Sequence, residues 1–137
     1  MYTVKYLGGY KFIAESDDGR LIIVDGRRKE EKKYFSPMEL LLIAAATCSA
    51  IDVVSILGKM RKNFRSLRVE IDGKRRDDYP KVYERVTLRY IVDGDVDRKS
   101  VERAVKLSLD KYCSASITLM KAGADFTYDI VVNGDGE

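Results

Sequence analysis

Residues 40–57, LLLIAAATCSAIDVVSIL, form an apolar run with a single charged side chain. Ser36, Pro37 and Glu39 stand just before it, with the spacing of a capping box and with proline at the first helical position. The sequence therefore predicts a helix that begins at Pro37 and ends near Gly58. Because this helix is apolar on every side, other apolar groups must cover it all round.

Three environments could cover such a helix. A lipid bilayer is disfavoured, because the Asp52 carboxylate would lie well inside the span at a cost of roughly 2.5–3.5 kcal/mol near the bilayer centre. In a monomer, the shorter helices of the same chain would cover the second face. We favour a homodimer in which two copies of the helix pack together, because four small side chains would let a second backbone approach closely. These are Ala44, Ala45, Ala46 and Ala50.

Alternating polar and apolar residues on both sides of the long helix predict strands. Two further helices are predicted, one capped by Asp97 and one opening at Cys113 and ending at Gly123. The element order βββ–α–ββ–αα–β is typical of an α+β fold with an antiparallel sheet, and the length suits a single domain over residues 1–137. The predicted strands cover residues 2–6, 10–14, 21–24, 67–71, 82–92 and 126–132.

Composition narrows the chemistry further. The chain has no histidine, which excludes Ser-His-Asp and Cys-His catalysis and the usual zinc sites. Its net charge of +3 is too small to indicate nucleic acid binding, and we interpret residues 27–33, RRKEEKK, as a solvated loop rather than a basic recognition patch. There is no positively charged leader and no CxxC motif, so we expect a cytoplasmic protein with reduced thiols. We expect no metal, no cofactor, and neither nucleic acid nor a membrane as partner.

The two cysteines, Cys48 and Cys113, lie 65 residues apart. Cys48 is about three turns into the long helix, where a thiol is often only a small packed side chain. Cys113 opens the last predicted helix, whose positive end would lower the pKa of the thiol, and Ser114 and Ser116 would add hydrogen-bond donors. An inert, packed cysteine is the alternative at both positions.

Redox chemistry follows if the two thiols meet in space. A thiolate would attack an electrophile, most simply a peroxide oxygen, and become a sulfenic acid, and the second thiol would condense with it to a disulfide. A dithiol reductant would reset the pair by exchange. Without histidine, a cation must favour the thiolate, and the residues alone do not identify it. Asp52 lies one turn after Cys48 on the same face of the helix. Its carboxylate would either form a hydrogen bond within the core or position a partner. A carboxylate so close would also disfavour the thiolate form of Cys48.

The segment SPMELLLIAAATCSAIDVVSILGKMR, taken together with KYCSAS around the second cysteine, resembles the OsmC/Ohr family of osmotically inducible and organic-hydroperoxide-resistance proteins. The element order matches as well. The resemblance implies an intertwined homodimer with two long central helices and a thiol-dependent peroxidase acting on organic hydroperoxides or hydrogen peroxide. It implies that Cys48 attacks the peroxide, that Cys113 resolves, that the site lies at the dimer interface, and that an external, lipoyl-type dithiol supplies electrons.

The chain departs from the family's pattern at one position. Peroxidase members hold an arginine near the attacking thiol with a glutamate directly after the helix-opening proline, and here Met38 stands at that place. Glu39 follows about 100° round the helix and points elsewhere. Arg20 lies in the hairpin region where the family's arginine falls, so the resemblance suggests Arg20 as the activating cation of a divergent OsmC-like branch. Met38 favours the alternative, a non-catalytic protein of the same fold that binds an apolar or acyl ligand in the dimer cleft.

Overall fold

The computed structural model describes residues 1–134 of the chain. These fall into two compact units, residues 1–41 and the residues from Leu42 onwards. The first unit is a three-stranded antiparallel sheet in the order β1-β2-β3, as the alternating pattern predicts. Its strands are β1 (Tyr2–Gly8), β2 (Lys11–Ser16) and β3 (Leu21–Asp25). Gly8 and Gly9 form the first turn with φ values of 91° and 60°, a conformation that glycine adopts without steric cost.

Most of the first sheet's large apolar side chains are exposed. Tyr2, Val4 and Leu21 keep 78%, 65% and 64% of their surface accessible. The fully buried side chain of this unit is Asp25, which accepts bonds from Arg27 Nε at 2.9 Å and from Lys33 N–H at 3.0 Å. The charged run at 27–33 is therefore a loop, as predicted, and it is folded around a buried carboxylate.

The long helix α1 (Pro37–Lys59) begins with the predicted capping box. Glu39 N–H donates to Ser36 Oγ at 3.3 Å, and Ser36 N–H donates back to Glu39 Oε1 at 3.1 Å. Its length and mean hydropathy of 2.3 would also suit a membrane span, although core helices of soluble proteins have the same character. The local start signal, rather than the apolar run, sets where the helix begins.

The two faces of α1 differ in burial. One face is buried within the second unit, and its buried residues are Ala45, Ala46, Ser49, Val53 and Leu57. The opposite stripe is exposed and has the three-and-four spacing of a coiled-coil seam; it consists of Ala44, Thr47, Ile51, Val54 and Gly58. The shorter helices of the chain therefore leave this stripe uncovered, contrary to the monomeric alternative. Coverage by a second copy stays a prediction.

The second unit confirms the predicted order of elements. After α1 come β4 (Ser66–Arg75), β5 (Tyr83–Asp93), α2 (Arg98–Leu107), a π-helical turn (Ser108–Tyr112), α3 (Ser114–Lys121) and β6 (Asp125–Asn133). β4 pairs antiparallel with β5, but β6 joins the other side of β5 in parallel. The expectation of a purely antiparallel sheet is corrected here. Parallel neighbours need a long crossover connection, and the two helices between β5 and β6 provide it.

The second helix ends earlier than its sequence predicts, because an apolar stripe at helical spacing continues to Tyr112. This stripe consists of Val101, Ala104, Val105, Leu109 and Tyr112. Asp97 caps the helix as predicted, accepting from Ser100 N–H at 3.1 Å. The α-helical hydrogen bonding stops at Leu107, and the backbone continues through the π-helical turn to Cys113, whose N–H donates to the Ser108 carbonyl at 2.7 Å. Single π-helical turns often occur at functional sites, and this one leads directly into the second cysteine.

Candidate functional site

The structure brings the two cysteines together. Cys48 comes from the middle of α1, and Cys113 caps the N-terminus of α3. Their two sulfur atoms and a carboxylate oxygen of Asp52 all lie within 4.8 Å of one another. Asp52 joins the cluster because it is four residues after Cys48 on the same helical face. Residues that are 65 positions apart in the chain thus form one compact group.

The two thiols have different surroundings. Cys48 is partly exposed, whereas Cys113 is fully buried. Cys113 Sγ lies 2.9 Å from Ser116 Oγ and 3.6 Å from the Ala45 carbonyl oxygen, and Ser116 N–H donates to it at 3.4 Å. Ser114, the other predicted donor, is exposed and its carbonyl accepts from Thr118 Oγ1 instead.

The pKa of Cys113 shifts in the direction opposite to the one expected from its helix terminus. Burial raises the pKa of the thiol, and the hydrogen bonds from Ser116 offset this only in part, while the neighbouring Cys48 raises it further. The prediction of a lowered pKa is therefore wrong for this position. A buried thiol loses the hydration of its anion, and that loss outweighs the N-terminal hydrogen bonds.

A buried chain of hydroxyl groups supports Asp52. Ser108 Oγ donates to Asp52 Oδ2 at 2.8 Å, Ser108 Oγ lies 2.9 Å from Ser49 Oγ, and Ser49 Oγ lies 2.7 Å from Tyr90 Oη. A hydroxyl group has one hydrogen to donate, and Ser108 gives its hydrogen to Asp52. The Ser49 hydrogen must then point to Ser108, and the Tyr90 hydrogen to Ser49. The chain therefore has a single direction, from Tyr90 to the carboxylate.

A cavity of about 460 Å³ lies beside the carboxylate end of this chain. Asp52 forms part of its wall, and the cations Lys59 and Arg103 form another part. The wall also includes Ser55, Ile56, Met60, Leu107 and Tyr112. The cavity therefore provides mixed apolar and cationic surroundings beside Asp52.

Arg20 lies in the β2–β3 hairpin, as the sequence indicates. Its side chain is 76% exposed, and its Nε donates to Asp18 Oδ1 at 3.0 Å. Glu39 points into the capping box and also pairs with Lys32, and these contacts lower its pKa to about 2. Glu39 is thus engaged locally, as its place on the helix predicts. The role of Arg20 at the thiol stays a prediction.

Sequence reasoning missed the supporting residues of the cluster. The alternation of Val86, Leu88, Tyr90 and Val92 predicts one face of β5, and Tyr90 is buried there, but this pattern does not indicate a partner for its hydroxyl group. Ser108 carried a signal, because it continues the apolar stripe of α2 at helical spacing as a polar residue. A buried hydroxyl at such a position needs a partner, and the partner here is Asp52.

Comparisons with known proteins agree with this architecture. The sequence model of the family described as OsmC-like protein matches residues 30–129. Protein YhfA of Escherichia coli K12 is 42% identical over 130 residues, which cover 93% of this chain and 96% of that protein. The crystal structure of a hypothetical protein from Aquifex aeolicus VF5 is 31% identical, has a TM-score of 0.86, and aligns over 98% of this chain and 96% of that one.

A more distant structure shares the fold alone. An organic hydroperoxide resistance protein OsmC from Legionella pneumophila has a TM-score of 0.69 at 16% identity, with 97% of this chain and 96% of that chain covered.

Proposed function

The chain belongs to the OsmC-like protein family, and on that premise we propose that it is a thiol-dependent peroxidase that reduces organic hydroperoxides or hydrogen peroxide through Cys48 and Cys113. One observation carries the proposal: the two sulfur atoms lie within 4.8 Å of one another. Disulfide formation needs two sulfurs that can approach to about 2.05 Å.

The difference in exposure supports the proposed roles of the two cysteines. Cys48 is partly exposed, so a peroxide can reach it, and Cys113 is fully buried behind it. The Cys48 thiolate attacks one peroxide oxygen, the O–O bond breaks, and an alcohol or water leaves with a proton while Cys48 becomes a sulfenic acid. Cys113 sulfur then attacks Cys48 sulfur, water leaves, and the disulfide forms. An external dithiol reduces it by two exchange steps.

Asp52 handles the proton in this proposal. Its carboxylate lies beside both sulfurs and is held by Ser108. It can accept the Cys48 proton and pass it to the leaving alkoxide, a task that histidine performs in many enzymes. Asp52 repels a thiolate electrostatically, so a cation must offset it. The assignment of Arg20 to this role rests on the family resemblance.

A cytoplasmic homodimer is part of the same proposal. Proteins of the OsmC and Ohr type are known as dimers. Within residues 1–134, the α1 stripe is exposed, and in the first unit several apolar side chains of β1 are exposed as well, with Tyr2 at 78%. A second copy would bury the α1 stripe, because its spacing suits packing against another helix.

The test is peroxide consumption by the purified protein with cumene hydroperoxide and a lipoyl-type dithiol. We expect catalytic turnover in the wild type and none in Cys48→Ser. In Cys113→Ser, Cys48 should be oxidised once to the sulfenic acid, and no disulfide should form. Ser114→Ala, an exposed change next to the buried cysteine, serves as the matched control and should retain activity. Arg20→Gln in the same assay tests the activating cation. Equal rates in the wild type and Cys48→Ser would remove Cys48 as the attacking group.

The second candidate is binding of an apolar or acyl ligand without catalysis. The cavity beside Asp52 favours it, because its wall includes the apolar side chains of Ile56, Met60 and Leu107. Native mass spectrometry of the freshly purified protein decides between the two. A co-purified acyl compound, together with thiols that stay reduced in the presence of peroxide, would favour the binding protein.

A further inference from the structure

We propose that the reduced form of this protein binds one Zn²⁺ ion through Cys48 Sγ, Cys113 Sγ and a carboxylate oxygen of Asp52, with the fourth position open to solvent or a small ligand. The absence of histidine excludes the usual zinc sites. The fold, however, collects three groups that ligate zinc without histidine, and this grouping was not visible in the sequence.

The distances suit a single small cation. With Zn–S bonds of about 2.3 Å and a Zn–O bond of about 2.1 Å, tetrahedral geometry places the two sulfurs roughly 3.8 Å apart and each sulfur roughly 3.6 Å from the oxygen. The three atoms here lie within 4.8 Å of one another, so each pair needs to contract by about 1.2 Å at most to complete the site. Thiolate ligands favour zinc over the hard cations magnesium and calcium.

Outer contacts hold two of the three ligands. Ser108 donates to Asp52 Oδ2 at 2.8 Å, and Ser108 is itself fixed by Ser49. Ser116 N–H donates to Cys113 Sγ at 3.4 Å. Hydrogen bonds to ligating groups are the usual way in which proteins orient metal ligands and tune their affinity. Two of the three ligands are therefore positioned before the ion binds.

The charges and the access route are also compatible with the ion. Zn²⁺ with two thiolates and one carboxylate carries a net charge of −1, and Lys59 and Arg103 line the cavity that Asp52 also lines. Two cations close to the site offset that charge. Cys48 and Asp52 are partly exposed, so an ion can reach these two ligands without unfolding of the core.

Zinc and the disulfide would exclude each other. The ion takes the place of the two thiol hydrogens: Zn²⁺ and two S–H groups give two Zn–S bonds and two protons, with no change in oxidation state. Bound zinc would withhold the lone pairs that Cys48 needs to attack a peroxide, and oxidation of the pair would release the ion. This last consequence rests on the proposed peroxidase function, whereas the binding itself does not.

The test titrates Zn²⁺ alone into the full-length, phosphine-reduced protein under anaerobic conditions. We expect one ion per chain by native mass spectrometry, with release of about two protons per ion in a weakly buffered solution at neutral pH. Cobalt(II), used as a spectroscopic substitute, should show thiolate-to-metal charge-transfer absorption. Peroxide-oxidised protein should bind neither metal at this site.

Three variants locate the site. Cys48→Ser and Cys113→Ser should each abolish the charge-transfer band, and Asp52→Asn should weaken binding by at least the roughly 10- to 100-fold that is typical for loss of a supporting contact. Asp110→Asn makes the same chemical change in an exposed ion pair with Lys106 and should bind like the wild type. Circular dichroism of each variant separates a lost ligand from a lost fold.

Two results would overturn the zinc site: no proton release and no charge-transfer band in the wild type, or unchanged binding in the well-folded Cys48→Ser variant. Failure of zinc binding in a protein that still consumes peroxide would refute this inference alone. Zinc binding in a protein whose Cys48→Ser variant consumes peroxide at the wild-type rate would refute the peroxidase alone.

Discussion

Replacing Ser49 by alanine should destabilise the protein clearly more than replacing Tyr90 by phenylalanine, although both changes break the same 2.7 Å hydrogen bond. The reason is the direction of the hydroxyl chain. Tyr90 stands at its donor end, so Tyr90→Phe removes one bond and leaves Ser49 still donating to Ser108. Ser49→Ala removes the middle link and leaves the buried Tyr90 hydroxyl without an acceptor.

The expected losses of stability follow from the number of hydrogen bonds that each variant removes and of buried donors that it leaves without a partner. Loss of one hydrogen bond at the end of the chain costs about 1 kcal/mol, whereas a buried donor left without a partner adds a desolvation cost of about 1–3 kcal/mol. Tyr90 and Ser49 are both fully buried, so water does not replace the lost partner. We therefore expect about 1 kcal/mol for Tyr90→Phe and about 3 kcal/mol for Ser49→Ala.

Urea unfolding at one fixed protein concentration, followed by far-ultraviolet circular dichroism, measures this difference. With a slope of about 2 kcal/mol per molar urea, the two midpoints should lie roughly 1 M apart. Tyr128→Phe is the matched control, because the Tyr128 ring packs edge-on against Tyr90 but is 41% exposed, and its midpoint should stay close to the wild type. Equal costs for the two core variants, or the reverse order, would show that the chain of hydrogen bonds does not run from Tyr90 to the Asp52 carboxylate.

Three further predictions concern stability. Burial raises the pKa of Tyr90 to about 12, so the folded state keeps the proton that the unfolded chain loses near pH 10. Stability should therefore fall by up to about 3 kcal/mol between pH 10 and 12, and alkaline urea titrations should show that Tyr90→Phe lacks this contribution. Gly94→Ala should lower the free energy of unfolding by about 1–3 kcal/mol more than Gly123→Ala does. Both glycines have positive φ, but only at Gly94 would the new Cβ meet backbone, 2.7 Å from Arg65 N. Thermal unfolding curves of the two variants that coincide would contradict this. The contacts with Ser100 and Lys62 lower the pKa of Asp97 to about 2. The stability that the ionised carboxylate contributes is therefore present above pH 4 and is lost as the pH falls towards 2. In acid titrations, the free energy of unfolding of Asp97→Asn should decline less steeply over that interval.

Local chemistry made several elements predictable. The start of α1 follows from Ser36, Pro37 and Glu39, whose capping contacts reach no further than three residues along the chain. Asp97 specifies the start of α2 in the same way. The strands of the first sheet follow from alternation and from the Gly8-Gly9 turn. Each of these signals lies within one element, so no knowledge of the tertiary arrangement is needed to interpret it.

Other features depend on partners that are distant in sequence. The parallel pairing of β6 with β5 depends on where the α2–α3 crossover returns the chain, and alternation is the same in parallel and antiparallel strands. The direction of the Cys113 pKa shift was mispredicted because a helix terminus is local, whereas the burial of Cys113 by other elements is not.

The sequence by itself determined the order of the elements, the ends of α1 and the types of residue available for chemistry: two thiols, many carboxylates and no imidazole. Only the tertiary structure decided that both thiols and the Asp52 carboxylate share one small volume, and that Ser108, Ser49 and Tyr90 stand behind the carboxylate. The physical reason is the separation along the chain over which each effect acts. Capping and periodicity act over three to seven residues, whereas desolvation, hydrogen bonding and sulfur–sulfur approach depend on distance in space between residues separated by up to 65 positions.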